Sequence, residues 1–288
     1  MGIRRNTRRF RKLNKLIFIF CYLISFVLAQ AEYQITTIPM NAKKLSLHNG
    51  HLALDNLSDN KSSSLTFLYY PADIKLLNYS FNQYEFSVLD YGKLEDKIDN
   101  QIFNSFNAYE CLIRYNYEKK IKDLFFMNLS NGIILSNLGN YSSSALIMDF
   151  DFKTKIDKTY LLFSMNNIGF ILDSYTNQNM KLPMFSQFSL TKEFEDYSIY
   201  FGYDNIYNFN TDKAEHIISI EGEINSNLQF RISNSSYRRK LLFDNYNSDF
   251  FYGIALGLTI NTNKNSSYDL GISSLGSAGY IYGVTINY

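Results

Sequence analysis

The sequence predicts an all-β fold, a transmembrane antiparallel β-barrel of about 12 to 14 strands preceded by a short N-terminal plug segment. Three observations carry this. The chain opens with an export segment, its body alternates apolar and polar residues between Asn/Ser/Asp-rich turns, and it ends on an alternating strand whose last residue is aromatic.

The export segment comes first. Arg4, Arg5, Arg8, Arg9, Arg11, Lys12 and Lys15 form a basic stretch without an acid, Leu16 to Leu28 is apolar, and Ala29-Gln30-Ala31 has the small-x-small spacing of a cleavage site, with Ala29 and Ala31 as its small residues. The apolar run falls short of the roughly 20 residues of a membrane-spanning helix. Residues 1–31 are therefore read as a signal peptide. Phe20 before Cys21 lacks the small residue of a lipoprotein signal.

Removing that segment changes the charge. Seven of the 28 basic residues lie in it, which leaves 21 against 27 acids, about −6. An acidic chain does not offer the basic face that nucleic acid requires, so no nucleic-acid partner is expected. Cys111 is the one cysteine left after cleavage, which excludes an internal disulfide and a cysteine-based zinc site.

Residues 32–77 read differently from the remainder. Met40 to Leu47 has a short helical look and Ser58 to Ser64 reads as a polar loop, so this stretch is expected inside or beneath the barrel, with the wall running over 78–288. Within that wall, Ile218, Ile220, Gly222 and Ile224 alternate with Ser219, Glu221, Glu223 and Asn225. Leu228, Phe230 and Ile232 continue the apolar set opposite Gln229, Arg231 and Ser233. A three-residue loop at Asn225-Ser226-Asn227 would set Glu221 across from Arg231 as an ion pair, in the lumen if the apolar face meets lipid.

Tyr252, Ile254, Leu256, Leu258 and Ile260 form an apolar stripe, and Gly253, Ala255, Gly257 and Thr259 on the other face are all small, as a narrow filled barrel requires. Tyr197, Ile199, Phe201 and Tyr203 place aromatics at both ends of a further stripe. In the last strand Tyr280, Tyr282, Val284, Ile286 and Tyr288 alternate with Ile281, Gly283, Thr285 and Asn287, the pattern read by barrel-assembly machinery. The outer membrane of a Gram-negative bacterium is the expected location, in contact with its lipid and lipopolysaccharide.

Residues for chemistry are sparse. His48 and His51 read as a solvated polar stretch, and His216 begins a strand without a Gly-x-Ser-x-Gly nucleophile motif. Glu221 and Glu223 read as lumen charges rather than a general acid and base. Lys119, Lys120 and Lys122, and likewise Arg238, Arg239 and Lys240, read as rim clusters. No phosphate-binding glycine loop occurs, and no cofactor, metal or enzymatic activity is expected.

Several segments, in order, resemble the PorV/PorQ family of outer-membrane proteins associated with type IX secretion, and its PorQ branch most closely. Ile38-Pro39-Met40-Asn41-Ala42-Lys43 is similar to the family's opening P-x-S-A-R, and Tyr70-Pro71-Ala72 to its Asn-Pro-Ala. Tyr141 to Asp149 is similar to its Y-x-S-x-A-x-x-x-D strand. Asn167-Ile168-Gly169 followed by Leu182-Pro183 resembles its N-x-G and LP segment. Glu221-Gly222-Glu223, Gly253 to Gly257 and Gly276 to Gly279 complete the set. Lys43, Asn49-Gly50 and Asp151 depart from the family's Arg, Gly-Gly and Gly. The resemblance implies a FadL-like barrel, partly blocked from within, that anchors proteins of the type IX secretion and attachment complex. A FadL-like channel for small hydrophobic compounds is the alternative, and a barrel hydrolase using His216 a third class.

Overall fold

The computed structural model describes residues 33–52, 63–98, 101–121, 125–175, 180–236, 253–262 and 266–288. Among these, fourteen strands form one closed antiparallel barrel. In chain order they are β1 (Ser64–Tyr69), β2 (Lys75–Phe81), β3 (Tyr84–Ile98), β4 (Gln101–Ile121), β5 (Phe125–Leu138), β6 (Tyr141–Ile156) and β7 (Thr159–Asp173). The second half comprises β8 (Phe185–Phe194), β9 (Ile199–Asn208), β10 (Lys213–Asn225), β11 (Leu228–Ser235), β12 (Ile254–Asn261), β13 (Ser267–Ser274) and β14 (Tyr280–Asn287). Each strand pairs with its sequence neighbour, and β1 closes on β14 from Ser64↔Asn287 to Tyr69↔Tyr282. Closure pairs every strand on both sides over at least part of its length, the condition for a β-structure in hydrocarbon.

The wall therefore begins at Ser64 and not at residue 78. Leu65, Thr66, Phe67, Leu68 and Tyr69 run almost without a polar break, because inward-facing Leu68 is apolar too and packs in the internal cluster with Leu45. That continuity hides the alternation. Closure nevertheless needs this strand, since β14 would otherwise lack a partner on one side.

The two faces of the wall are inverted relative to a water-soluble protein. Ile218, Ile232, Leu256, Leu258 and Val284 point outward and are about two-fifths to one-half exposed, whereas Ser219, Glu221, Arg231 and Ser233 between them are buried. A continuous outward apolar surface of this kind is expensive in water and stable in lipid. Aromatic side chains crowd its margins. Phe81, Tyr84, Tyr115 and Tyr288 stand near the rim that carries the start of β1 and the end of β14, and Tyr69, Tyr109 and Tyr280 near the opposite one.

The two rims also differ in their connections. On the rim of the strand termini, Asn82–Gln83, Asp157–Lys158 and Ser226–Asn227 are two-residue turns. The opposite rim carries the longest links, over 174–184 and 236–253. The β10–β11 turn is thus one residue shorter than the sequence implied. Glu223↔Gln229 is followed by Asn225↔Leu228, so Ile224 is bulged out and restores the register above the turn.

Candidate functional site

The chain from Tyr33 to Leu52 lies within the barrel. It contains a 3-10 turn (Gln34–Thr36) and one short helix, α1 (Ala42–Ser46). Asn41 caps α1, its Oδ1 accepting from Lys44 N at 2.7 Å. His48 and Asn49, with φ of 54° and 65°, turn the chain away after the helix. Ile35, Ala42, Leu45, Leu47 and Leu52 have no exposure to solvent. This segment fills the lumen.

Its polar groups are hooked to the wall all round. Ile35 N donates to Glu110 Oε2 of β4 at 2.8 Å, and Tyr91 OH of β3 donates to the other oxygen at 3.0 Å. The Tyr33 hydroxyl bonds Ser143 of β6, and burial pushes that phenol above its ordinary pKa. Asn78 of β2 donates to Met40 O at 3.0 Å, and Ala42 N donates to Thr285 Oγ1 of β14 at 2.9 Å. Asp204 of β9 accepts from His51 N at 2.9 Å. Each bond satisfies a main-chain or side-chain group that would otherwise be buried unpaired.

Small residues on the wall make the space. A β-carbon on Gly271 would lie 2.4 Å from Ala42 O, and one on Gly257 would lie 2.5 Å from Ser46 Oγ. On Gly283 it would meet Leu68 and Leu45. Any larger side chain at these inward positions would collide with α1 or its packing.

The charged centre of the lumen is Arg231, which is 1% exposed. Its Nη1 donates to Glu221 Oε2 at 3.2 Å, its Nη2 to Asp269 Oδ1 at 3.0 Å and to the Thr259 hydroxyl, and its Nε to Ser46 Oγ at 3.2 Å. Lys43 Nζ of α1 stands 3.7 Å from the same Glu221 oxygen. One guanidinium thus ties its own strand β11 to β10, β12, β13 and the helix. A buried cation is tolerated here because two carboxylates and two hydroxyls take up its donors. Arg114 of β4 forms a second centre, 3.3 Å from Glu85 and 3.1 Å from Asp149.

Towards the long-loop rim the lumen is apolar. Tyr33, Ile35, Met40 and Leu45 pack there against inward Leu68, Leu76, Leu89, Leu112, Ile134 and Ile147.

Glu221 and Arg231 are register partners and are in contact. Glu223, by contrast, is exposed at the turn, where Gln229 donates to it at 3.4 Å. His48 is not solvated. It is 3% exposed, with Nδ1 2.8 Å from Ser233 Oγ and Nε2 3.3 Å from Ser273 Oγ, because the chain reversal after α1 turns it into the lumen wall. His216 sits on the outer face beside the Tyr203 hydroxyl at 2.9 Å and the Asn205 amide at 3.1 Å. Tyr280, Tyr282 and Val284 face outward along β14, Ile286 is partly covered, and Tyr288 is exposed at the rim. Ala29, Ala31, Lys122, Tyr252 and Arg238 to Lys240 lie outside the described residues.

The sequence reading missed Ser46, Asp269 and Glu110, and placed Thr259 inward only as a small residue. Asp269 left a signal: it is an acid alternating with Tyr268 and Leu270 in a strand whose other face is apolar.

No protein-family model matches the chain, and no curated protein matches it in sequence. In overall shape it is similar to solved barrels. The Pseudomonas putida toluene transporter TodX shares 11% identity over 88% of this chain and 93% of that one, with a TM-score of 0.49. A Pseudomonas aeruginosa FadL homologue shares 9% over 87% and 98%, with a TM-score of 0.48. The Ralstonia pickettii toluene transporter TbuX shares 8% over 78% and 87%, at 0.46.

Proposed function

We propose that this chain is a non-catalytic barrel of the Gram-negative outer membrane that anchors partner proteins of the type IX secretion and attachment complex, for export and surface attachment of cargo bearing a C-terminal signal. The observation that carries this reading is the filled lumen. Tyr33 to Leu52 occupies the bore and is bonded to strands around the whole wall, which leaves the rims and outer face as the working surfaces. The collinear motifs quoted above supply the secretion assignment. The short-turn rim faces the periplasm and the long-loop rim the exterior, following the asymmetry of such barrels. Outer-membrane lipid and lipopolysaccharide surround the wall, barrel-assembly machinery inserts it, and no cofactor is needed.

Deletion of the gene followed by cell fractionation tests the role. Type IX cargo should accumulate in the periplasm or appear unattached in the medium. Normal surface attachment of that cargo would remove the secretion role.

A second reading, passage of small hydrophobic compounds, is favoured by the apolar half of the lumen around Leu68, Leu112 and Ile134. It requires Tyr33 and Ile35 to yield, and uptake of a hydrophobic tracer by vesicles carrying the protein would separate the two readings.

A further inference from the structure

Among the described residues, the pairing of β7 changes partway along the strand. On the β6 side Ile168 pairs with Met148, but the next pair is Met165 with Phe150, so Asn166 and Asn167 together face Asp149. Asn167 adopts φ of 60°, its N–H donates to Asp149 Oδ1 at 2.7 Å, and its side-chain amide donates to Pro183 O at 2.7 Å. On the other side β8 begins only at Phe185, opposite Asn166. The chain leading into β8 is drawn inward instead of lengthening that strand. Asn210 holds Leu182 O at 2.8 Å, and Leu182 and Met184 are buried.

The segment Ile168–Asp173 is consequently paired to β6 along one edge, while among the described residues no main chain pairs with its other edge. Its outward side chains Phe170 and Leu172 are 60% and 55% exposed, more than outward Met148 at 37% on the adjoining strand. The position continues the apolar outer band. Unpaired peptide groups beside hydrocarbon cost several kcal/mol each, whereas a strand laid along them satisfies every second N–H and C=O at once.

We infer that this free edge of β7 is a docking site for an extended segment of a partner protein, added as a further strand along Ile168–Asp173. The edge chemistry specifies the occupant. It is a stretch of about six residues without proline at its paired positions, with apolar residues on alternate positions to lie beside Phe170 and Leu172. The inference deepens the anchoring role proposed above by naming where a partner is held.

Two measurements test it. In detergent-purified protein, alternate amides of Ile168–Asp173 should exchange at least about tenfold faster than those paired to β6, since no described main chain pairs with their edge. Slow exchange of all six would show that the chain covers the edge itself, and would overturn the proposal. In cells, a photoreactive phenylalanine analogue at position 170 or 172 should crosslink to one stretch of a partner protein with alternating apolar residues. The same probe at Met148 should give no such adduct. The Leu172→Pro variant should abolish the adduct at position 170 while the barrel stays folded on gels. Adducts confined to lipid, to lipopolysaccharide or to this chain, or none above the Met148 control, would overturn it. Loss of the secretion role would appear separately, as normal cargo attachment after gene deletion with the position-170 adduct intact.

Discussion

The Arg231 guanidinium and the Ser46 hydroxyl, 185 positions apart in sequence, stand 3.2 Å apart inside the barrel. Through that contact one wall residue binds the helix in the lumen and also neutralises Glu221 and Asp269.

Replacing Arg231 with Met should therefore cost about 3–5 kcal/mol, because buried Asp269 loses its counter-charge and Glu221 keeps only Lys43, at 3.7 Å. The chain has no tryptophan, so denaturant unfolding is followed by circular dichroism or by heat-dependent gel mobility. Adding Glu221→Gln and Asp269→Asn to Arg231→Met should recover most of the loss, since the unpaired charges are then gone. No recovery would mean that packing of the guanidinium, and not its charge, holds the site.

Gly271→Val tests the seating of α1. The new side chain would occupy the position of the Ala42 carbonyl, so the segment should be displaced while β13 keeps its register. Tryptic cleavage after Lys43 and Lys44 in the folded barrel should accelerate by about tenfold or more. Ion conductance in planar bilayers should rise alongside it. Unchanged cleavage would show that α1 shifts without leaving.

Asn167→Ala should destabilise the folded protein by about 1–3 kcal/mol, since alanine disfavours positive φ and the bond to Pro183 O is lost. Asn167→Gly relieves the backbone and loses only the amide, so it should cost less. Thermal unfolding of the pair separates the two contributions.

On the outer wall Leu258 faces lipid between Phe230 and Leu270. Leu258→Arg should cost about 2–4 kcal/mol if that position lies near the bilayer centre. Folding equilibria in lipid vesicles give the value directly.

Tyr288 presents a different kind of test. It is exposed, and its main chain exchanges two 2.9 Å hydrogen bonds with Ser63. Tyr288→Ala should reduce the amount of folded barrel recovered from outer membranes while changing the stability of refolded protein by less than about 1 kcal/mol. A large stability loss would place its role in the wall rather than in assembly.

Much of this was legible in the chain. Where one face is lipid and the other a polar lumen, side chains alternate cleanly, and β10, β11, β12 and β14 were legible for that reason. Glu221 and Arg231 followed from that register. Legibility failed where the lumen itself is apolar: Leu68 and Leu76 face inward like core residues, so β1 and β2 lost their alternation. It failed again at Asn166–Asn167, where an added residue shifts the parity of β7 without any change in composition. His48 misled because its partners, Ser233 and Ser273, lie far along the chain.

The seam between β1 and β14 fixes an order of events. Ser63 and Tyr288 are joined by reciprocal main-chain bonds although nearly the whole described wall separates them in sequence. That contact closes one of the longest loops in the molecule, and contacts of such sequence separation form late. Tyr33 to Leu52 precedes the seam in the chain, and its bonds to β4, β9, β11 and β14 are made from the inside. Completing the ring and seating α1 are therefore coupled, since β14 bonds both β1 across the seam and Ala42 in the lumen.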